Sequence, residues 1–487
     1  MKFTVSKNKN HLTTLIAGAS LALIFAPFNL FFIGFFSISA LFLIINNCQK
    51  YKSVFYCGLL FGFGFFLAGN YWIAIALLVD AKQHAWLIPF ALTLIPLALA
   101  TYITLTCLSY KYAINRLKIN QTYQKIIIFA ILWLFFEILR ANLFSGFPWN
   151  LIGYSWLFSI ALSQIASIFG IYGLSFFAIL CFLLPTLFIT SSGNKISYVN
   201  LLKAGKQNQI FFITIISLAV ASFIFGYNKL SSTKLVTKDY KIRIVQANIK
   251  QNLKWDPQEK FKNFIEHIKL SNKEDIDKVD MVVWSEASIP YAINNDPDLM
   301  SALSQATPKE GILISGGIRA NNNKYWNSIF VFNKGGIKSH YDKHHLVPFG
   351  EYIPLQNYVP FIKKITQGSE GFSKGDGASH ISINQDISIS PLICYEAIFT
   401  SYAVDKNSKK PDLLINLTND SWFGNSTGPY QHLAMARMRS IEQNIPMIRV
   451  ANSGISAYID PLGRIKKKTK LNDKGIFDIE LEVMDNN

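Results

Sequence analysis

ISISPLICYE, residues 387–396, sets an apolar, β-branched run directly against a cysteine, a tyrosine and a glutamate. The run through Ile387, Ile389, Leu392 and Ile393 reads as a strand, and Cys394 falls where that strand ends. The other four cysteines, Cys48, Cys57, Cys107 and Cys181, lie in or beside long apolar runs far upstream, so Cys394 has no disulfide partner in its own half of the chain. One reading of a lone cysteine is a buried core residue. Its place at a strand exit, where α/β folds build their sites, reads as a nucleophile.

Similar runs flank it on both sides: KIRIVQAN (241–248), DMVVWSE (280–286), GILISGG (311–317), NSIFVFN (327–333), DLLINLTND (412–420) and PMIRVANSG (446–454). Helical patterns, PQEKFKNFIEHIKLS (257–271) and GPYQHLAMARMRSIEQN (428–444), fall between them, and Gly335 and Gly336 mark a hairpin. Strands alternating with helices predict a mixed α/β domain over residues 241–487. Residues 229–240, opening KLSSTKLVTKD, read as a polar linker.

Upstream the chemistry changes. Of the 47 Lys/Arg and 30 Asp/Glu in the 487 residues, only 14 and 2 lie in residues 1–228. No aqueous fold tolerates so few carboxylates among such long apolar runs, which excludes a single soluble enzyme, a disordered chain and a fibrous repeat. Seven stretches near 12–26, 30–46, 54–79, 86–109, 123–141, 162–189 and 209–228 approach the ~20 residues that cross a bilayer as a helix. The first, short and flanked by Lys2, Lys7 and Lys9, also fits a cleaved signal peptide; six further spans favour an uncleaved one. Alternate loops hold twelve Lys/Arg in one set and only Lys82 and Arg140 in the other. That bias puts the N-terminus in the cytoplasm, and seven crossings put residues 229–487 outside, on the periplasmic face of a bacterial inner membrane. Of the +17 net charge, +12 lies in the apolar half, so the basicity reads as a topology signal with no nucleic-acid partner implied.

A thiol nucleophile needs a base and a group to hold the developing oxyanion. The histidines of the polar half form no recognisable cysteine–histidine signature. His340 and His344 have the spacing of a helical metal pair, but a Gly-Gly turn precedes them and Lys343 intervenes, so no metal site is expected. The other strand exits offer Glu286, ending DMVVWSE, and Lys343, in YDKHHLVPFGEYIP (341–354). A carboxylate in an apolar cleft gains the basicity to take a thiol proton, and an ammonium stabilises an oxyanion. The alternative for each is a surface ion-pair residue. In the membrane half, Glu137 and Arg140 lie one helical turn apart near an outer end, either as an ion pair that orients the helix or with Arg140 holding a lipid phosphate.

WSEASIP (284–290), YDKHHLVPFGEYIP and PLICYEAIF (391–399) resemble the Glu, Lys and Cys segments of the nitrilase, or carbon–nitrogen hydrolase, superfamily. With INLTNDSWFGNSTGPYQHLAMARMRSIE, IRVANSGISAYIDPLGR, GFGFFLAGNYW (62–72) and LFSGFPWNLIGYS (143–155), the chain is similar in particular to the bacterial apolipoprotein N-acyltransferase family. The resemblance spans roughly residues 55 to 465. It implies an αββα nitrilase-like sandwich joined to a multi-pass α-helical membrane bundle, with Glu286, Lys343 and Cys394 as base, oxyanion stabiliser and nucleophile. Glu351 matches the family's second glutamate, and Trp255, Asn327, Tyr395 and Glu396 match accessory positions. The implied reaction needs no cofactor. It takes an acyl chain from a phospholipid donor in the bilayer to the α-amino group of diacylglyceryl-modified apolipoproteins.

A cysteine suits that chemistry, because a thioester is attacked far better by amines than by water. A membrane-tethered amide hydrolase would use the same three residues, and a transporter would want paired ionisable groups inside its spans, where Asp80, Lys82, Glu137 and Arg140 are the candidates. Members of the family commonly end with a further span; here the last residues are IELEVMDNN, and the basic stretch Arg464, Lys466, Lys467, Lys468 and Lys470 reads as a solvated turn.

Overall fold

The computed structural model describes residues 7–192, 195–198, 205–293, 296–354 and 371–485; Lys2 and Lys203 of the topology count lie outside them. The chain divides into two units, Met1–Ala74 with Trp86–Ser231, and Ile75–Ala85 with Ser232–Asn487.

Apolar residues all round a helix favour burial among other helices or lipid, and the first unit is built of such helices: α1 (Lys7–Leu21), α2 (Ile33–Asn47), α3 (Tyr51–Asn70), α4 (Ile88–Arg116), α5 (Thr122–Asn142), α6 (Ala166–Leu183) and α7 (Lys206–Ser232). Among the described residues five helices, those containing α3 to α7, are long and apolar enough to cross a membrane, while the apolar helices His11–Ile24 and Ile33–Asn47 are shorter. The expected third span, 54–79, stops at Asn70; beyond it Asp80 caps a short helix, Ala81–His84, by accepting from the Gln83 amide. Gly58 and Gly62, four residues apart on α3, let two backbones approach. A Cβ on Gly58 would sit 2.8 Å from the Thr104 Cα, and one on Gly62 2.8 Å from the Ala100 Cα, both on α4.

The second unit begins almost without a linker. Helix α7 runs to Ser232 and β1 (Leu235–Gln246) starts three residues later, so most of the polar stretch 229–239 is regular structure: its backbone bonds are made by a helix end and a strand start. β1 pairs in parallel with β2 (Met281–Val283), and β2 with β3 (Ile312–Asn321); β4 (Lys324–Asn333) and β5 (Gly336–Asp342) follow as antiparallel hairpins. A second sheet pairs β7 (Ser388–Ile393) with β8 (Leu413–Thr418) and β9 (Met447–Ala451) in parallel. It is extended by β6 (Ile381–Ser382), β10 (Ala457–Ile459) and β11 (Ile465–Lys468). All seven strand readings from the sequence coincide with strands. β11 contains the lysine run expected to be a turn; it is a sheet edge, where charge guards against pairing with another chain. The last strand, β12 (Gly475–Met484), pairs antiparallel with β1, so IELEV is tied into the first sheet.

The two-residue period sorts side chains by face. Ile242, Ile244, Met281, Val283 and Ile329 meet Ile389, Ile393, Ile415, Leu417 and Val450 in one core between the sheets. The opposite face of the first sheet, with Val282, Trp284 and Leu313, packs on α8 (Lys260–Ser271) and α9 (Pro297–Gln305). Leu392 and Leu414 of the second sheet pack on α10 (Gly428–Gln443). The result is an α-β-β-α sandwich. Every parallel strand ends at the same edge, and β5, reversed twice from β3, ends there too.

Candidate active site

That shared edge collects the three expected residues. Cys394 follows β7 immediately, Lys343 follows β5 immediately, and Glu286 lies just beyond β2. Cys394 has φ 50°, a left-handed conformation for a residue with a side chain, which costs about 1 kcal/mol and persists only where surrounding bonds impose it. Those bonds converge on Glu396, which is fully buried in the turn after the cysteine. Its carboxylate accepts from the Ile393 amide at 2.8 Å, the His344 and His345 amides at 2.9 and 3.2 Å, and the Tyr341 hydroxyl at 3.0 Å. Burial alone would raise its pKa, but His344, 2.9 Å away, and these donors hold it below the ordinary carboxylate value. One side chain thus ties the cysteine turn to the segment carrying Lys343.

Lys343 is 1% exposed. Its Nζ donates to Glu351 at 2.9 Å and stands 4.0 Å from the Glu286 carboxylate. Burial works against its charge, yet Glu351 and Glu286 together raise its pKa, so it stays an ammonium. Glu351 also accepts from the Val347 amide at 2.8 Å, and the Asn327 amide donates both to Glu351 at 3.0 Å and to Glu286 at 2.8 Å. Asn327 is itself held at the edge, because its carbonyl accepts from the Lys343 amide at 2.8 Å. Burial raises the Glu286 pKa against the pull of Lys343. Behind it stands Gly316, where a Cβ would lie 2.7 Å from the Glu286 Cα and 2.4 Å from the Ala287 nitrogen. Burial and the neighbouring Glu286 carboxylate push the Cys394 thiol up to about 12, with Lys343 opposing. A resting thiol of that kind needs a base, and the one beside it is a carboxylate made more basic by burial.

Residues 241–485, within the second unit, match the carbon–nitrogen hydrolase family, and residues 17–184 match the apolipoprotein N-acyltransferase N-terminal domain. Apolipoprotein N-acyltransferase of Rickettsia prowazekii (strain Madrid E) is 39% identical over 472 residues, covering 96% of this chain and 90% of that protein. The chain belongs to the apolipoprotein N-acyltransferase family.

The enzyme of that name from Rhodopseudomonas palustris is 34% identical over 96% of this chain and 89% of its own length. Among solved structures, XC1258 from Xanthomonas campestris, a CN-hydrolase superfamily protein, covers 50% of this chain and 91% of its own at 16% identity and a TM-score of 0.38.

Of the accessory residues expected in this acyltransferase, Glu351, Asn327 and Glu396 join the cluster directly. Tyr395 sits at its rim, stacked on His345 with ring centroids 5.8 Å apart. Trp255 is half-buried on the loop after β1, and among the described contacts none links it to Glu286, Lys343 or Cys394. Arg140 is 3% exposed in the first unit, and its Nη1 donates to the Phe147 and Trp149 carbonyls, both at 2.6 Å. A lipid phosphate would have to compete with those carbonyls. Glu137 accepts from the Trp133 indole at 3.2 Å and the Ile152 amide at 2.9 Å, so the pair fastens the loop after α5.

Two features of this cluster were not visible in the sequence. Lys254, 5% exposed, donates to the Glu286 carbonyl at 2.8 Å. Beneath Cys394, Asp420 accepts from Arg449 at 2.7 Å and Thr418 at 3.0 Å, and His432 stands 3.0 Å from Asp420 and 3.2 Å from the Cys394 carbonyl. The only hint was that Asp420 and Arg449 lie in or just beyond strand runs, where a charge needs a partner.

Proposed function

We propose that this acyltransferase moves an acyl chain from a membrane phospholipid, through a thioester on Cys394, to the α-amino group of the diacylglyceryl-cysteine at the N-terminus of lipoproteins. The observation that carries the reading is one cluster in which half-buried Cys394 meets buried Glu286 and Lys343, in a chain whose described residues also hold five membrane-length apolar helices. Glu286 takes the thiol proton as the sulfur attacks the ester carbonyl. Lys343 balances the oxyanion, and the proton passes to the departing lysophospholipid oxygen. The amine then attacks the thioester, Glu286 takes its proton and returns it to the sulfur, and an amide leaves. The twelve-to-two distribution of cations in alternate loops supports a catalytic unit on the periplasmic side of a bacterial inner membrane.

Purified enzyme given phospholipid alone is expected to release lysophospholipid once, in stoichiometric amount, and to gain one hydroxylamine-sensitive acyl group on Cys394. A diacylglyceryl-cysteine peptide then discharges it with N-acylation. Steady release of free fatty acid without an amine would replace this reading with a hydrolase. A reporter fused after Lys206 is expected to be cytoplasmic and one at Asn487 periplasmic; a cytoplasmic Asn487 fusion would refute the orientation.

A further inference from the structure

Lys254 bonds the main chain of the base itself. Its ammonium donates to the Glu286 carbonyl at 2.8 Å. The next residue, Ala287, is left-handed with φ 48°, and Gly316 packs directly behind both. A left-handed alanine costs about 1 kcal/mol, so this turn needs bonds to hold it, and Lys254 makes one of them. An ammonium has three donors, one of them on Glu286. The same side chain lines a small cavity with Ile249, Asn263, His267, Ser288 and Asn452, which has room for about one water molecule.

His267 is 2% exposed on that cavity. Its Nδ1 bonds the Asn263 carbonyl at 2.8 Å and must therefore carry the hydrogen, while Nε2 is buried with no hydrogen-bond partner among the described residues. An ammonium donor and an imidazole nitrogen acceptor on one cavity are the partners that a bridging water requires. The titratable groups acting on Lys254 are Glu286 and Cys394; His267 faces Lys254 and Glu266, and Cys394 also faces Lys343 and Asp420. Burial brings Lys254 down to about 8, with Glu286 and Cys394 opposing.

We propose that Lys254 is a positioning residue of the reaction: through the Glu286 carbonyl, and a water shared with His267, it aims the Glu286 carboxylate at the Cys394 thiol. The inference rests on Glu286 serving as base to Cys394.

The test is the pH dependence of Cys394 alkylation by iodoacetamide, read by peptide mass spectrometry on the full-length protein in detergent. Lys254→Met is expected to react about tenfold more slowly at neutral pH, with its profile displaced upward by about one pH unit. Lys254→Arg keeps the cation and is expected to retain most of the rate. In a Glu286→Gln background, adding Lys254→Met is expected to change the rate less than about twofold, because the lysine acts through the base. A Lys254→Met protein with the wild-type profile overturns the proposal, as does an undiminished tenfold loss in the Glu286→Gln background. If Lys254→Met does not fold, Lys254→Ala, which removes the donor and leaves space for water, is measured instead; a wild-type profile there overturns the proposal equally. Alkylation needs no acyl donor, so a missing phospholipid adduct and a failure of this test are distinguishable.

Discussion

Replacing Asp420 with Asn removes one charge at nearly constant volume from the network under Cys394. Asp420 and Arg449 have fully buried side chains 2.7 Å apart, and Arg449 also bonds the Asn416 side chain. The substitution leaves an arginine with no counter-charge in the interior, and breaking a buried pair from one side costs about 3–5 kcal/mol. A second route gives a similar figure. Burial alone would raise the Asp420 pKa, but Arg449 and His432 hold it at about 2 against an ordinary 3.8, and that difference of roughly two units is worth about 2.5 kcal/mol. Because the folded value is depressed, this stabilisation is complete above pH ~4 and is lost as the pH falls toward ~2. Asp420→Asn is therefore expected to lower stability by about 3 kcal/mol. For a unit of this size that is a drop of about 6–12 °C in the unfolding midpoint, followed by near-ultraviolet circular dichroism of the full-length protein in detergent. Asp420→Asn with Arg449→Met leaves no orphaned charge and is expected to recover more than half of the loss. A single variant melting within about 1 °C of wild type would refute the reasoning. So would a double variant that loses the sum of the two single losses.

Three further outcomes follow from the site. Glu286 must be ionised to accept the thiol proton and its pKa is raised by burial, so single-turnover acylation of Cys394 should fall with acidity through a midpoint above the ordinary carboxylate range; a midpoint at or below that range would remove Glu286 as the base. Glu351→Gln takes away the carboxylate 2.9 Å from Lys343 and is expected to slow acylation at least about tenfold with little change in KM, and an unchanged kcat would show that Glu351 does not position the lysine. Gly316→Ala drives a methyl into the Glu286 and Ala287 backbone, with an expected loss of about 1–3 kcal/mol and of acylation; normal melting and turnover would disprove the close approach.

Much of the molecule was legible from local pattern. Alternating β-branched runs predicted seven strands because burial on a pleated face imposes a period of two. The scarcity of charge and the ~20-residue apolar runs in residues 1–228 predicted apolar helices, because a helix satisfies every backbone bond within its own segment in lipid. Cys394, Glu286 and Lys343 stood out because each ends or follows a strand run, and strand ends are where α/β folds expose side chains. Residues 229–239 misled the reading: their polarity suggests a linker, yet a helix end and a sheet partner satisfy their backbone.

What the sequence determined by itself was the chemistry at each strand exit and the division into an apolar and a polar half. Tertiary structure alone decided which exits meet. Register between β3, β4 and β5 brings Asn327 beside Lys343, and the facing of two sheets brings Cys394 to Glu286. Pairing of charges far apart in sequence makes Asp420, His432 and Arg449 a support beneath Cys394. Lys254 and Arg140 show the same limit, since each is an unremarkable basic residue until the fold buries it against specific carbonyls. Periodicity reports which way a side chain points from its own strand or helix, whereas a hydrogen bond across two sheets depends on distances that no local pattern encodes.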